Sequence, residues 1–180
     1  MSTQTKQPEI FFVWSDDIDN NRIDAKYWIP EIRKLEMKVK SGKYKSRKLG
    51  EFITDIHYGV STSNDYVSDG IPFLRILNLK PERVSLLDVV YLPESARKTI
   101  GRAFVKGGDL LISRSGSVGI VNVMPKEADG FAFGSFMIKF QLNDEINKDF
   151  VAIWLNSESS KKLLKEKKLE RYRAILQLIR

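Results

Sequence analysis

The spacing of apolar residues changes character twice along the chain. Between Ala25 and Ser41, Trp28, Ile32, Leu35 and Val39 fall at i, i+4, i+7 and i+11, one stripe on a 3.6-residue period. Charged Arg33, Lys34, Glu36, Lys38 and Lys40 occupy the remaining surface, so this segment is predicted to be an amphipathic helix. Asp24 stands where an N-cap belongs, and Gly42 where a helix stops. Ahead of it lie an extended apolar patch, Ile10–Trp14, and a polar run, Asp16–Asp24.

From about Arg47 the apolar runs become short, β-branched or aromatic, and broken by Gly, Pro, Asn and Asp. Strands are predicted at Leu49–His57, Pro72–Leu79, Val89–Leu92, Asp109–Ser113, Gly119–Met124 and Phe131–Gln141. Turn chemistry separates them at Tyr58–Gly70, Lys80–Ser85, Lys106–Gly108 and Pro125–Gly130, and Pro93–Thr99 fits one helical turn before Gly101. Phe136, Ile138, Phe140 and Leu142 alternate onto one strand face. That period favours a core role for Phe131, Phe133, Phe136 and Phe140 over a base-stacking platform. From Asn147, a predicted N-cap, the helical period returns, with Phe150, Val151, Trp154 and Leu155 as its apolar face and Leu163 and Leu164 further on. The order helix, many strands, helix predicts an α+β fold rather than a doubly wound one. The expected organisation is a leader and amphipathic helix over 1–46 packing on the domain, a β-rich core over 47–146, and a C-terminal helical segment over 147–180.

Composition narrows the chemistry. The 180 residues are 42% hydrophobic and 29% charged, which suits one globular domain. There is no cysteine and a single histidine, His57. Thiol nucleophiles, disulfides, cysteine–zinc sites and histidine-rich metal centres are thereby excluded. The N-terminus has no apolar signal core, and no apolar run reaches the roughly 18 residues of a membrane span. The chain is expected to be soluble and cytoplasmic.

The net charge is +7, and its location matters more than its size. Residues 1–46 hold 9 basic and 7 acidic side chains, residues 47–146 hold 12 of each, and residues 147–180 hold 9 and 4. The excess therefore sits mainly in KKLLKEKKLERYR. Lys161, Lys165 and Lys168 share one helical face at i, i+4 and i+7. That face suits phosphate contacts. A lysine run is more often simply a solvated helix face.

Catalytic motifs fail one by one. Neither GxGxxG nor GxxxxGK[ST] occurs; Gly116–Gly119 reads only GSVG, and the spacing around Ser115 breaks a nucleophile elbow. The asparagine–proline–proline–aromatic signature of amino-methyltransferases is absent. Glu36–Lys38 matches the ExK end of a nuclease triad, but on a helix and with no aspartate at strand spacing. His57, at the end of the first β run, reads as a packing or loop residue before it reads as a catalyst. No catalytic residue, metal ligand or cofactor is expected.

What remains is loops rich in hydrogen-bonding groups. Tyr58–Asn64 reads YGVSTSN, Arg75 and Asn78 bracket a strand end, and Ser113–Ser117 reads SRSGS. Arginine forks onto guanine, asparagine pairs with adenine, and serine hydroxyls and backbone amides take phosphate. Glycines 116 and 119 let backbone approach a bulky partner. Structural ion pairs at strand ends account for Arg75 and Arg114 equally well.

Three stretches in order resemble a known family. KLGEFITDIHYGVSTSN, GIPFLRILNL and KGGDLLISRSGSVGIVNVMP look like the target-recognition domain of type I restriction–modification specificity subunits. The match runs over about residues 45–165, and FFVWSDDIDNNRIDAKYWIPE is similar to the leaders of such subunits. The resemblance implies a strongly twisted mixed sheet and a non-catalytic role. It implies recognition of one half-site of double-stranded DNA, alongside methyltransferase and restriction subunits. The family's full subunits carry two recognition domains and two long helices; this chain resembles one half of them, a half subunit or fragment, and the resemblance implies a second recognition half as a further partner. The candidate DNA-contacting residues, from the hydrogen-bonding chemistry of these loops, are Tyr58, Ser61, Thr62, Asn64, Arg75, Asn78, Ser113, Arg114, Ser115 and Ser117, with Lys161, Lys165 and Lys168 as backbone contacts on helical phasing alone. Two rival readings are a protein-interaction domain using the Trp28/Ile32/Leu35 and Trp154/Leu155 faces, and a divergent Mg-dependent nuclease fragment.

Overall fold

A computed structural model describes residues 12–13, 30, 33–34, 37–38, 41–43, 46–62 and 66–161. The chain divides into two compact units, Met1–Ser46 and Arg47–Arg180. In the first, Pro30, Arg33, Lys34, Met37 and Lys38 are helical, and Ser41 N–H donates to the Met37 carbonyl at 2.8 Å before a turn. The other positions of the predicted helix lie outside the described residues.

The second unit is α+β, as expected. Its strands are β1 (Ile53–Tyr58), β2 (Ile71–Leu74), β3 (Val90–Leu92), β4 (Leu110–Ser113), β5 (Val121–Val123), β6 (Ala132–Phe133) and β7 (Met137–Leu142). Its helices are α1 (Arg97–Ile100) and α2 (Lys148–Asn156). The strands make two sheets: an antiparallel one in the order β1-β7-β4-β5, and a mixed one in the order β3-β2-β6, where β2 and β6 run parallel. The first predicted strand begins with a 3₁₀ turn, Leu49–Phe52, and the second ends in one, Ile76–Asn78. The predicted strand over Phe131–Gln141 is two strands in different sheets, separated at Gly134–Phe136.

Period-2 alternation gives the four-stranded sheet two faces with different partners. Leu110, Ile112, Val121, Ile138 and Phe140 pack against Val151, Ala152 and Leu155 of α2. Leu111 and Met137 join Phe73, Leu74, Leu92 and Phe133 in a second core. The apolar face of α2 is thus rotated from the predicted one: Val151 and Leu155 are buried, but Phe150 and Trp154 are exposed. Asn147 caps the helix as expected, its side-chain oxygen accepting from Phe150 N–H at 2.8 Å. At the other end Asn156 closes the edge of β5, its amide donating to the Val121 carbonyl and accepting from Val121 N–H. A strand edge left open there would offer unpaired backbone groups to other chains.

One polar cluster is buried against the same sheet. Lys139, on β7, donates to the Phe104 carbonyl at 2.9 Å and lies 3.6 Å from the Asp109 carboxylate. Asp109 also accepts from Lys106 N–H at 2.9 Å and from Gln141 Nε2 at 2.7 Å. The glycine–aspartate of the KGGD stretch is therefore architectural. Gly108 has φ +88°, in the left-handed region, and a Cβ on Gly107 would meet the Lys126 backbone at 3.0 Å. Beside this cluster a hollow of about 380 Å³ is lined by Asp55, His57, Arg102, Lys106, Lys139 and Gln141 among others. His57 Nε2 lies 3.0 Å from Asp55 Oδ2 there, so the histidine faces this hollow and not the Tyr58 loop. Among the described residues no three His, Asp or Glu side chains gather as metal ligands would, and no helix is long and apolar enough to cross a membrane.

Candidate functional site

The three loop stretches singled out in the sequence meet on one side of the domain, tied together by main-chain hydrogen bonds. After Tyr58, Gly59 N–H donates to the Met137 carbonyl at 3.2 Å and Val60 N–H to the Phe133 carbonyl at 3.1 Å. Ser135 N–H returns a bond to the Val60 carbonyl at 2.9 Å, and the Ser61 hydroxyl donates to Ser135 Oγ at 3.0 Å. Gly134 N–H donates to the Leu74 carbonyl at the end of β2, which brings in Arg75. Arg114 N–H donates to the Phe136 carbonyl at 2.8 Å, which brings in the SRSGS loop. Gly116, with φ +74°, sits where a Cβ would lie 4.0 Å from the Ile76 side chain.

Between the loops lies a cleft of about 360 Å³. Val60, Phe73 and Ile76 supply apolar lining; Ser61, Thr62, Ser135 and Arg75 supply donors and acceptors. Tyr66, Leu77 and Phe136 line it as well and are exposed. Arg75 is held from two sides. Its Nη2 donates to the Asp88 carbonyl at 2.9 Å, and its guanidinium lies 5.8 Å from the Tyr66 ring centre. Its buried Nε has no hydrogen-bond partner. The Arg114 guanidinium lies 5.4 Å over the ring of Tyr58, a cation–π distance that fixes both at the surface. Residues 58–62, 75–78, 113–118 and 134–136 contain these two arginines and no acidic residue. Residues 47–146 as a whole have zero net charge.

The predicted contact residues separate into groups. Ser61, Thr62 and Arg75 line the cleft, Tyr58 and Arg114 pair with each other, and Ser115 and Ser117 stand on the neighbouring loop, half-buried and exposed. Asn78 and Ser113 are buried and bonded to the chain itself. The Asn78 amide accepts from Arg75 N–H and donates to the Ser85 carbonyl, while Ser113 Oγ donates to the Ser117 carbonyl and accepts from Ile120 N–H. They shape the loops that carry Arg75 and Arg114. Lys161 is half-buried in a helical turn that Ser157 caps beyond α2. Asn64, Lys165 and Lys168 lie outside the described residues. Sequence reasoning missed Tyr66, Leu77, Ser135 and Phe136. The glycine–serine pair between aromatics at Gly134–Ser135 was the available signal for a turn there.

No family model matches the chain, and no curated protein matches it. Among solved structures it is similar to the HsdS subunit from Thermoanaerobacter tengcongensis, at 17% identity and a TM-score of 0.49 over 73% of this chain and 34% of that one. It is similar to a chain from a study of complex assembly and conformational transition of the type I R-M system, at 18% identity and a TM-score of 0.48 over 69% of this chain and 31% of that one. It is also similar to the type I restriction–modification S subunit from M. genitalium, at 14% identity and a TM-score of 0.41 over 69% and 30%. The chain thus matches about a third of the length of each.

Proposed function

We propose that this chain is a non-catalytic DNA-recognition module of a restriction–modification specificity subunit. It reads one short half-site of double-stranded DNA with the loops around the cleft. Methylation and cleavage belong to partner methyltransferase and restriction subunits. The observation that carries this reading is the convergence of the YGVST, Arg75 and SRSGS loops on one face, with two arginines and no acidic residue in those loop segments. Arginine is the commonest reader of guanine edges, and hydroxyls and backbone amides suit phosphate. Arg75 and Arg114 read base edges or phosphates; Ser61, Thr62, Ser115 and Ser117 take phosphate or base-edge contacts; Asn78 and Ser113 hold the loops.

Arg75→Ala and Arg114→Ala are each expected to weaken binding to a duplex selected from random DNA by about 1–3 kcal/mol. Fluorescence anisotropy measures the affinity, and a melting curve on the same variant separates readout from folding. Variants that melt early yet keep full affinity when folded would return both arginines to a structural role.

The C-terminal lysines are proposed as sequence-independent phosphate contacts. Neutralising Lys161, Lys165 and Lys168 together is expected to weaken cognate and random duplex alike. It is also expected to flatten the log–log salt dependence by about 0.9 for every phosphate that the lysines no longer neutralise. An unchanged salt slope would make the tail a solvated face.

A protein-contact reading has one observation in its favour. Phe150, Ile153 and Trp154 leave an exposed apolar stripe on α2 at i, i+3 and i+4. That stripe suits contact with a partner subunit and does not compete with the loop face for a role.

A further inference from the structure

Most of the cleft's lining is apolar, although a DNA-reading surface is usually polar and charged. Phe136 is 54% exposed and Leu77 65% exposed, and both line the cleft in front of buried Phe73 and half-buried Val60 and Ile76. Single exposed apolar residues need no explanation, but here two share one concave surface with three further apolar side chains. Val118, 43% exposed, adds another on the SRSGS loop.

In the major groove the bases present donors, acceptors and one apolar group, the C5-methyl of thymine. Phe136 and Leu77 have no polar group to offer a base edge. Contact with a thymine methyl is the base readout open to them, and it removes apolar surface from water on both sides. We infer that the half-site read by this face contains thymine, and that its C5-methyl packs against Phe136 and Leu77 beside the base that Arg75 contacts. The inference rests on the DNA-recognition reading above and adds a base identity to it. A wedge inserted between base steps is the other use DNA-binding proteins make of such side chains, and it senses stacking, not the methyl group.

The test uses the full chain, alone and with a cognate methyltransferase subunit, and a duplex selected from random DNA. Each thymine in the selected half-site is replaced in turn by uracil, which keeps every hydrogen-bonding group and lacks only the methyl. At a contacted position the affinity is expected to fall about fourfold, from the roughly 0.8 kcal/mol of burying one methyl-sized group. Phe136→Ser should erase the thymine–uracil difference at one position while the loss caused by Arg75→Ala persists in the Phe136→Ser background. A half-site without an A·T pair, or uracil duplexes bound as tightly as thymine ones throughout, overturns the inference and leaves DNA recognition standing. Failure to select any duplex overturns both.

Discussion

Lys139→Ala is expected to cost about 3–5 kcal/mol of folding stability, a large loss for one side chain. The cost arises in what stays behind. Asp109 is 3% exposed, and its carboxylate lies 3.6 Å from the ammonium. Without Lys139 the carboxylate keeps Lys106 N–H and Gln141 Nε2 but loses its paired positive charge, and the Phe104 carbonyl loses its donor. A buried charge with no counter-charge destabilises far more than the pair stabilises when intact, because both desolvation penalties are already incurred. Asp109→Asn in the same background keeps an acceptor for Lys106 N–H and removes the charge. The double variant Asp109→Asn/Lys139→Ala should therefore recover much of the loss. Urea unfolding of the two single variants and the double closes the cycle. Additive single effects would show that the two groups do not act as a pair.

Gly59→Ala is expected to cost about 3 kcal/mol and to disorganise the loop face with it. A Cβ on Gly59 would lie 2.1 Å from the Gly134 carbonyl oxygen, 2.5 Å from the Gly134 carbonyl carbon and 2.7 Å from the Phe133 oxygen. All three are backbone atoms, so no rotamer change relieves the clash. The end of β1 must separate from the Gly134–Phe136 turn, breaking the bonds between Val60, Phe133 and Ser135. Gly130→Ala is the control. Gly130 has φ +79°, but nothing lies within 4 Å of its Cβ position, so the variant bears only the left-handed penalty of about 1–2 kcal/mol. Thermal melting should rank Gly59→Ala well below Gly130→Ala, and equal melting points would rule out the close approach as the cause. Gly59→Ala should also lose duplex affinity where Gly130→Ala does not.

The parts of the fold legible in the sequence were those where local chemistry decides. Asn147 as cap, Gly101 after a helical turn and the β texture from Arg47 onward follow from side-chain and backbone preferences at each position. The joining of two sheets was not legible. Phe131, Phe133, Phe136 and Phe140 read as one strand, yet Phe136 stands exposed at a turn because Gly59 and Gly134 bring two backbones together there. That approach belongs to tertiary structure and leaves no trace in a 2-residue period. Lys139 was invisible for a related reason. Alternation puts it on one face of β7 with Met137 and Gln141, and that face is interior because the second core, which Leu111 and Met137 join, and the Asp109 carboxylate lie against it.

The candidate site was legible as loops and less so as residues. Ser61, Thr62 and Arg75 share one cleft, and Arg114 lies over the Tyr58 ring. Asn78 and Ser113 have the same chemistry, but backbone groups take it up within a few residues. A sequence records the capacity to bond and not the partner chosen. Leu77 and Phe136 were missed because an apolar residue in a β-rich segment is normally assigned to the core.

We propose that the face formed by the YGVST, Arg75, SRSGS and Gly134–Phe136 segments meets duplex DNA. Titrating the isotope-labelled chain with its selected duplex and following the backbone amide resonances tests it directly. Shifts are expected to concentrate at residues 58–62, 75–78, 113–118 and 134–136, with amides of α2 and of the Asp55–His57 hollow nearly unmoved. Shifts confined to α2 and the lysine tail, with the cleft silent, would contradict it.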